Sequence, residues 1–194
     1  NFSAILRSCD AVGLFEANAV TDRRYLQPNR TASGGSGKWV RLQAHANHED
    51  AFAYLRSQGM QVVVADNNEG AQDFRTVDYT QPTAIVLGAE LHGPTEAALA
   101  RADARISVPL LGMAESLNVS VAAAVILFEA QRQRSAAGLY DTPQLAPATY
   151  WNTVLRWGYP KLAHECDRRG LPYPILREVD GELVDFPGVG DPEE

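Results

Sequence analysis

The sequence predicts an α/β protein, a parallel sheet flanked by helices, on three observations. Short apolar runs, at 61–65 and 83–87, are of strand length and rich in Val, Ile and Leu. They alternate with segments of helical periodicity, an order that gives parallel strands with helices on both faces. The 194 residues suffice for one sizeable core and not clearly two; 45% are hydrophobic and 21% charged, as in an ordinary globular chain.

Taken in order, residues 1–12 place Phe2, Ile5, Cys9 and Val12 at helical spacing, with Gly13 as a stop and Arg7 off the stripe. A short strand is expected at 14–20. Residues 21–38 form a long polar loop with Arg23, Arg24, Arg30 and Lys38, and loops this long are usually functional or mobile. Its end, Gly34-Gly35-Ser36-Gly37-Lys38, invites a phosphate-loop reading. That reading fails, because Ala32 stands where the first glycine is needed and Trp39 where Ser or Thr is needed. A strand at 39–42 and a helix at 49–58 follow, the helix with Ala51, Phe52 and Leu55 inward and Gly59 at its end. The strand at 61–65 runs into the turn residues Asp66, Asn67, Asn68 and Gly70. The strand at 83–87 runs into Gly88-Ala89-Glu90. Pro94 suits the first turn of a helix at 95–101, and 105–108 is again a strand. No Gly-x-Gly-x-x-Gly is present, which leaves a dinucleotide site unsupported.

Residues 108–134 organise the rest. Val108 to Leu111 are apolar, and Gly112 permits a change of direction. Ser116 and Asn118 both suit a helix N-cap. The run Ala122 to Phe128 carries no charge, so at least two faces of this helix need cover, and it is expected to be both core and subunit interface. It is too short to span a membrane. Beyond Arg134 come a loop with Pro143 and Pro147, short helices at 149–156 and 161–169, an extended stretch at 171–174 and an acidic, frayed end from 179. The domain expectation is 1–135 and 136–194.

The formal charge of −7 lowers the expectation of nucleic-acid binding without deciding it. Cys9 and Cys166 have no metal-site spacing and read as free thiols in a reducing compartment. With no secretory segment or long apolar run, a cytoplasmic protein is expected, with neither membrane nor DNA as partner. His45 and His48, near Glu49 and Asp50, read as solvated histidines with no metal. The first residue is Asn1 rather than Met, so the chain is expected to begin inside a gene product.

Three separated stretches together resemble the SPOUT RNA methyltransferases of the SpoU/TrmH family. Asn1, Ser3, Ala4, Ile5, Leu6 and Arg7 carry the first match. Gly88, Ala89, Glu90 and Gly93 carry the second. Leu111, Gly112, Met113, Ser116, Leu117, Asn118, Val119 and Ser120 carry the third. The stretches 73–83 and 128–134, with Gly-Leu-Pro-Tyr-Pro in the tail, resemble the TrmH branch in particular. Leu91, His92, Ala114 and Glu115 depart from the pattern; Glu115 adds negative charge beside a site meant for RNA.

The resemblance implies a C-terminal deep trefoil knot, a homodimer, S-adenosyl-L-methionine as cofactor and tRNA as substrate, with the ribose 2′-hydroxyl of guanosine-18 in the D-loop as target. A 23S ribosomal RNA target on the same fold, or a non-catalytic RNA- or cofactor-binding module, are the alternatives. The catalytic group it implies is Asn1, Arg7, Glu90, Ser116 and Asn118. Cofactor contacts are expected at the strand ends, from Asp66, Leu87, Gly88, Val108, Leu111, Gly112, Met113 and Leu117, in keeping with ligand binding at the carboxyl edge of open sheets. Arg7 suits a two-pronged grip on a phosphate. Because guanidines stay protonated in proteins, it is expected to fix the phosphate and polarise the hydroxyl, not to act as a base.

Overall fold

The computed structural model describes residues 1–21, 34–89 and 92–185, and the chain divides into two units, Asn1–Leu139 and Tyr140–Glu194. In the first, α1 (Phe2–Ala11) turns Leu6 and Cys9 inward and leaves Arg7 exposed. Then come β1 (Glu16–Val20), a 3-10 turn at Ser36–Lys38, β2 (Arg41–His45), α2 (His48–Ser57) and β3 (Gln61–Ala65). They are followed by β4 (Gln72–Asp73), a 3-10 turn at Phe74–Thr76, β5 (Thr83–Val86), α3 (Glu96–Arg101), β6 (Ala104–Ser107) and α4 (Val119–Ala136).

Every strand pair of this unit is parallel, as the alternation predicts. β1 pairs with β2, and the other four run in the order β4-β6-β3-β5. The last strand of this sheet in sequence, β6, therefore lies between two earlier ones. β3 is buried on both faces, which explains its run of three valines. Val63 packs with Phe74, Tyr79, Ile106 and Ile126; Val62 packs with Phe52, Leu55 and Ala98. A third cluster joins Leu6, Cys9 and Val12 of α1 to Val40 and to Leu127 of α4. Each such aliphatic side chain contributes about 1.5–3 kcal/mol on burial.

The folded chain covers α4 on one side and leaves exposed the face that the sequence reading assigns to a second subunit. Ala123, Ile126 and Leu127 are buried, but Val121 is 48%, Val125 37% and Phe128 49% exposed. One chain covers one face of this helix and leaves the other bare.

The stretches 73–83 and 128–134 hold each other. Tyr79, 2% exposed, donates its hydroxyl to Phe74 O at 2.9 Å and its backbone N–H to Gln133 Oε1 at 3.0 Å. Arg134 donates to Tyr79 O at 3.2 Å. Glu129 accepts from Gln133 Nε2 at 2.9 Å and from Arg132 twice, at 2.7 and 2.8 Å. The Arg132 hydrogen bonds, opposed by burial and aided by Gln133, hold the Glu129 carboxyl at about 2, below its ordinary 4.5. A depressed carboxyl stabilises the fold above its unfolded value and ceases to as pH falls through its folded value. The stability difference between wild type and Glu129→Gln, read by urea unfolding, should be full above about pH 4.5 and shrink toward pH 2. A difference constant over that range would show that Glu129 does not supply this term.

In the second unit, α5 (Pro147–Gly158) and α6 (Pro160–Arg169) pack through Leu155 and Ala163, with Leu176 of β7 (Ile175–Leu176). β7 pairs antiparallel with β8 (Leu183–Asp185), a hairpin that lies where the sequence reading expects a frayed end. Arg177 pins its turn through Asp180.

Candidate functional site

In a parallel sheet, paired strands end on one edge. The residues after β3, β5 and β6 therefore leave together, which places 66–68, 87–89 and 108–117 side by side. A small cleft of about 40 Å³ opens there, lined by Ala65, Asn67, Val108, Leu110, Leu117 and Ala122 among others. It is far smaller than the roughly 300 Å³ of a ligand pocket. The cause is the loop at 109–117, which does not cover it. Leu111 and Met113 are wholly exposed, and among the described residues no backbone N–H of 110–117 donates a hydrogen bond. Asn67 Nδ2 reaches Glu115 O at 3.4 Å and ties the loop to the end of β3.

Gly88 is required by the chain itself. A Cβ there would lie 2.1 Å from Gly93 C and 2.2 Å from Pro94 N. Ala89 and Gly93 exchange backbone hydrogen bonds at 3.0 and 2.8 Å, with Gly93 at φ +63°. The second matched stretch is thus a tight backbone pinch. Glu90 lies outside the described residues. Leu87 is half-buried at the end of β5. Gly112 sits in open space without a positive φ, so the bend needs no glycine at that position.

Asp66 is 5% exposed, and its strand neighbours Val64 and Val62 share its face. The cleft takes Ala65 and Asn67 from the opposite face. Asp66 N–H donates to Ile106 O at 2.9 Å, its Oδ1 accepts from Asn68 Nδ2 at 2.7 Å, and its buried Oδ2 has no partner among the described residues.

Asn118 is the cap of α4: its Oδ1 accepts from the Ser120 N–H at 2.9 Å. Ser116 is exposed and does not share in the cap. Ser120 Oγ reaches Asn118 Oδ1 at 2.6 Å and Asn1 Oδ1 at 3.3 Å. The first and third matched stretches thus meet through Ser120, which the sequence reading counts in the third match but not in the catalytic group. The signal available was its hydroxyl two positions after a capping Asn, where it can share the cap. Arg7 is not brought to this cluster. It lies six residues further along α1, about 9 Å up the axis. Among the described residues it has no hydrogen-bond or ion-pair partner.

His45 is a correction. It is 8% exposed, bonded through Nε2 to Asn18 Oδ1 at 2.7 Å and tilted against the Tyr54 ring, not solvated. Asn18 stands 27 residues away, beyond the reach of local reading. Among the described residues no group of three His, Cys, Asp or Glu is placed to hold a metal.

Apolar walls, strand-end backbone and a loop of unpaired N–H groups suit in kind a flat heteroaromatic ring and a thioether-like chain. The residues thus fit the cofactor that the sequence resemblance implies, while the loop at 109–117 must fold over it to enclose it.

Known proteins bear on this. The SpoU rRNA Methylase family model matches residues 1–128, and the SpoU rRNA methylase C-terminal model matches 132–185. A "tRNA (guanosine(18)-2'-O)-methyltransferase" of Thermus thermophilus is 54% identical over 157 residues, 81% of each chain. The protein of that name from Escherichia coli K12 is 45% identical over 185 residues, 94% of this chain and 80% of that one. The crystal structure of the A. aeolicus TrmH/SpoU tRNA modifying enzyme superposes with a TM-score of 0.76 at 38% identity, covering 83% of this chain and 82% of that. The SpoU methyltransferase AviRb from Streptomyces viridochromogenes, in complex with AdoMet, gives 0.63 at 28% identity, covering 69% and 55%.

Proposed function

The chain belongs to the SpoU rRNA methylase family, and from that premise we propose that it methylates the ribose 2′-hydroxyl of guanosine-18 in tRNA with S-adenosylmethionine as donor. The observation that carries this is identity of 54% and 45% to proteins named for that reaction, over 81% and 94% of this chain. The cytoplasm, where tRNA is found, is its place. Residues 1–135 are the catalytic domain, closed by a trefoil knot, and 136–194 its helical extension.

When bound, S-adenosylmethionine supplies an electrophilic methyl on a positively charged sulfur. The ribose oxygen bonds that carbon as the carbon–sulfur bond breaks, and the hydroxyl proton must leave. Alignment of the oxygen is most of the task. The loop at 110–117 offers backbone donors to the cofactor. Asn118, Ser120 and Asn1 make a polar lip where the RNA ribose enters. Arg7 grips the RNA phosphate in two hydrogen bonds and polarises the hydroxyl, its proton passing to that phosphate or to water.

Within one chain Arg7 stands apart from that lip, so a second copy supplies it. The bare stripe of Val121, Val125 and Phe128 on α4 is the surface on which the copies meet. Val125→Asp, already 37% exposed in the single chain, should fold yet sediment as a monomer and lose most turnover. A monomer with full turnover would remove the second copy from the mechanism.

The activity test is label transfer from methyl-labelled cofactor to tRNA and 23S rRNA transcripts, with a tRNA bearing 2′-O-methylguanosine at position 18 as control. Incorporation into unmodified tRNA alone supports the reading. Incorporation only into rRNA overturns the substrate. Cofactor binding without transfer to any RNA overturns the enzyme.

A further inference from the structure

The glycine-rich run Gly34–Lys38, which does not make a phosphate loop, packs as a short turn against α1. Gly34 has φ +59° and Gly35 φ +91°, both in the region that side chains rarely enter. The two differ in what surrounds them. The three atoms nearest a Cβ on Gly34 would all belong to Arg7: Nε at 3.6 Å, Cζ at 3.7 Å and Cδ at 3.9 Å. A Cβ on Gly35 would meet nothing within 4 Å. A Cβ at 34 would thus just touch the stem and head of Arg7, and any atom beyond it would compete with them for space.

We propose that Gly34 is a positioning residue: the missing side chain at 34 leaves the seat in which the Arg7 guanidinium lies, aimed at the RNA phosphate. The inference rests on Arg7 being the arginine that holds RNA. The guanidinium has no hydrogen bond or ion pair among the described residues to fix its direction. What remains to limit its rotamers is packing, and Gly34 lies against the outer half of this side chain. A free arginine on a helix gives up much rotamer freedom when it binds in one geometry. A seat that narrows its choices lowers that cost before RNA arrives. Any group beyond Cβ at 34 fills the seat, displacing the fork or bonding it in a wrong direction.

Asparagine separates the seat from simple backbone strain, because it tolerates a positive φ better than other non-glycine residues. At φ +91°, farther from the left-handed well than +59°, Gly35→Asn carries at least the backbone cost of Gly34→Asn, and only the latter fills the seat. The assay measures kcat and KM for tRNA, cofactor affinity by calorimetry and thermal unfolding. Gly34→Asn should lower kcat roughly 10- to 100-fold, the size of a small misplacement, with cofactor affinity unchanged. Gly35→Asn should keep kcat near wild type, with any shared loss appearing in the unfolding temperature. In an Arg7→Ala background, Gly34→Asn should weaken tRNA binding no further, as two changes acting on one group are not additive. Equal kcat losses in the two asparagine variants, or an undiminished effect of Gly34→Asn without Arg7, would overturn the seat alone. Full turnover in Arg7→Ala would overturn the seat together with the reading of Arg7 beneath it.

Discussion

Arg7→Ala should lower kcat by about 10²- to 10³-fold, the usual cost of removing one electrostatic contact to a transition state, and leave S-adenosylmethionine affinity nearly unchanged. Arg7 is exposed, has no partner among the described residues and lies on the outer face of α1, so its loss removes no core packing. The helix stands on Leu6 and Cys9, which the change does not touch. An effect confined to the transition state appears in kcat. Arg7→Lys should rescue little, because an ammonium cannot reproduce the planar fork. Single-turnover methylation and calorimetric cofactor titration on each variant check this. Cofactor affinity falling in step with rate would move Arg7 into the cofactor site. Asn118→Ala offers the contrast: it removes the cap of α4, at a cost of about 1 kcal/mol, and should disturb cofactor binding as well as rate.

Gly88→Ala should be strongly disruptive for a change that adds a single methyl. The added carbon would sit 2.1, 2.2 and 2.5 Å from three backbone atoms of Gly93 and Pro94, none of which can rotate away. The turn must open, breaking the paired bonds between Ala89 and Gly93. Overpacking commonly costs 1–3 kcal/mol, and backbone partners place this case at about 3 kcal/mol or more. Because the pinch follows β5 at the sheet's carboxyl edge, cofactor affinity should fall with stability. Gly112→Ala is the paired control, since its Cβ meets nothing within 4 Å and its φ is not positive. Urea unfolding of both variants decides the point. A Gly88→Ala protein as stable as the control would mean that the pinch is not rigid.

Patterns carried by neighbouring residues were legible in the sequence. The three valines of β3, the stripe of α1 and the Asn118 cap each announce themselves locally. What escaped depends on distant partners. The two-residue β4 exists because Gln72 and Asp73 meet Ile106 and Ser107. His45 is buried because Asn18 and Tyr54 close around it. Of the two capping candidates, only Asn118 lies within reach of the Ser120 N–H. Leu111 and Met113 are apolar residues matched to a cofactor pocket, yet they stand in solvent in the lone chain.

The strand order also sets a sequence of events in time. β3 leaves the ribosome with one edge that only β6 can fill, and β4 has no neighbour at all until β6 arrives. The place between them is kept open while some thirty residues, including β5 and α3, are made. A chain stalled there presents two bare strand edges around a vacant middle, a template for pairing with other chains. Pairings that close over such separations form slowly. The same order that sets three loop ends side by side thus makes the final strand the slow entrant, and the half-made protein the form in greatest need of a chaperone.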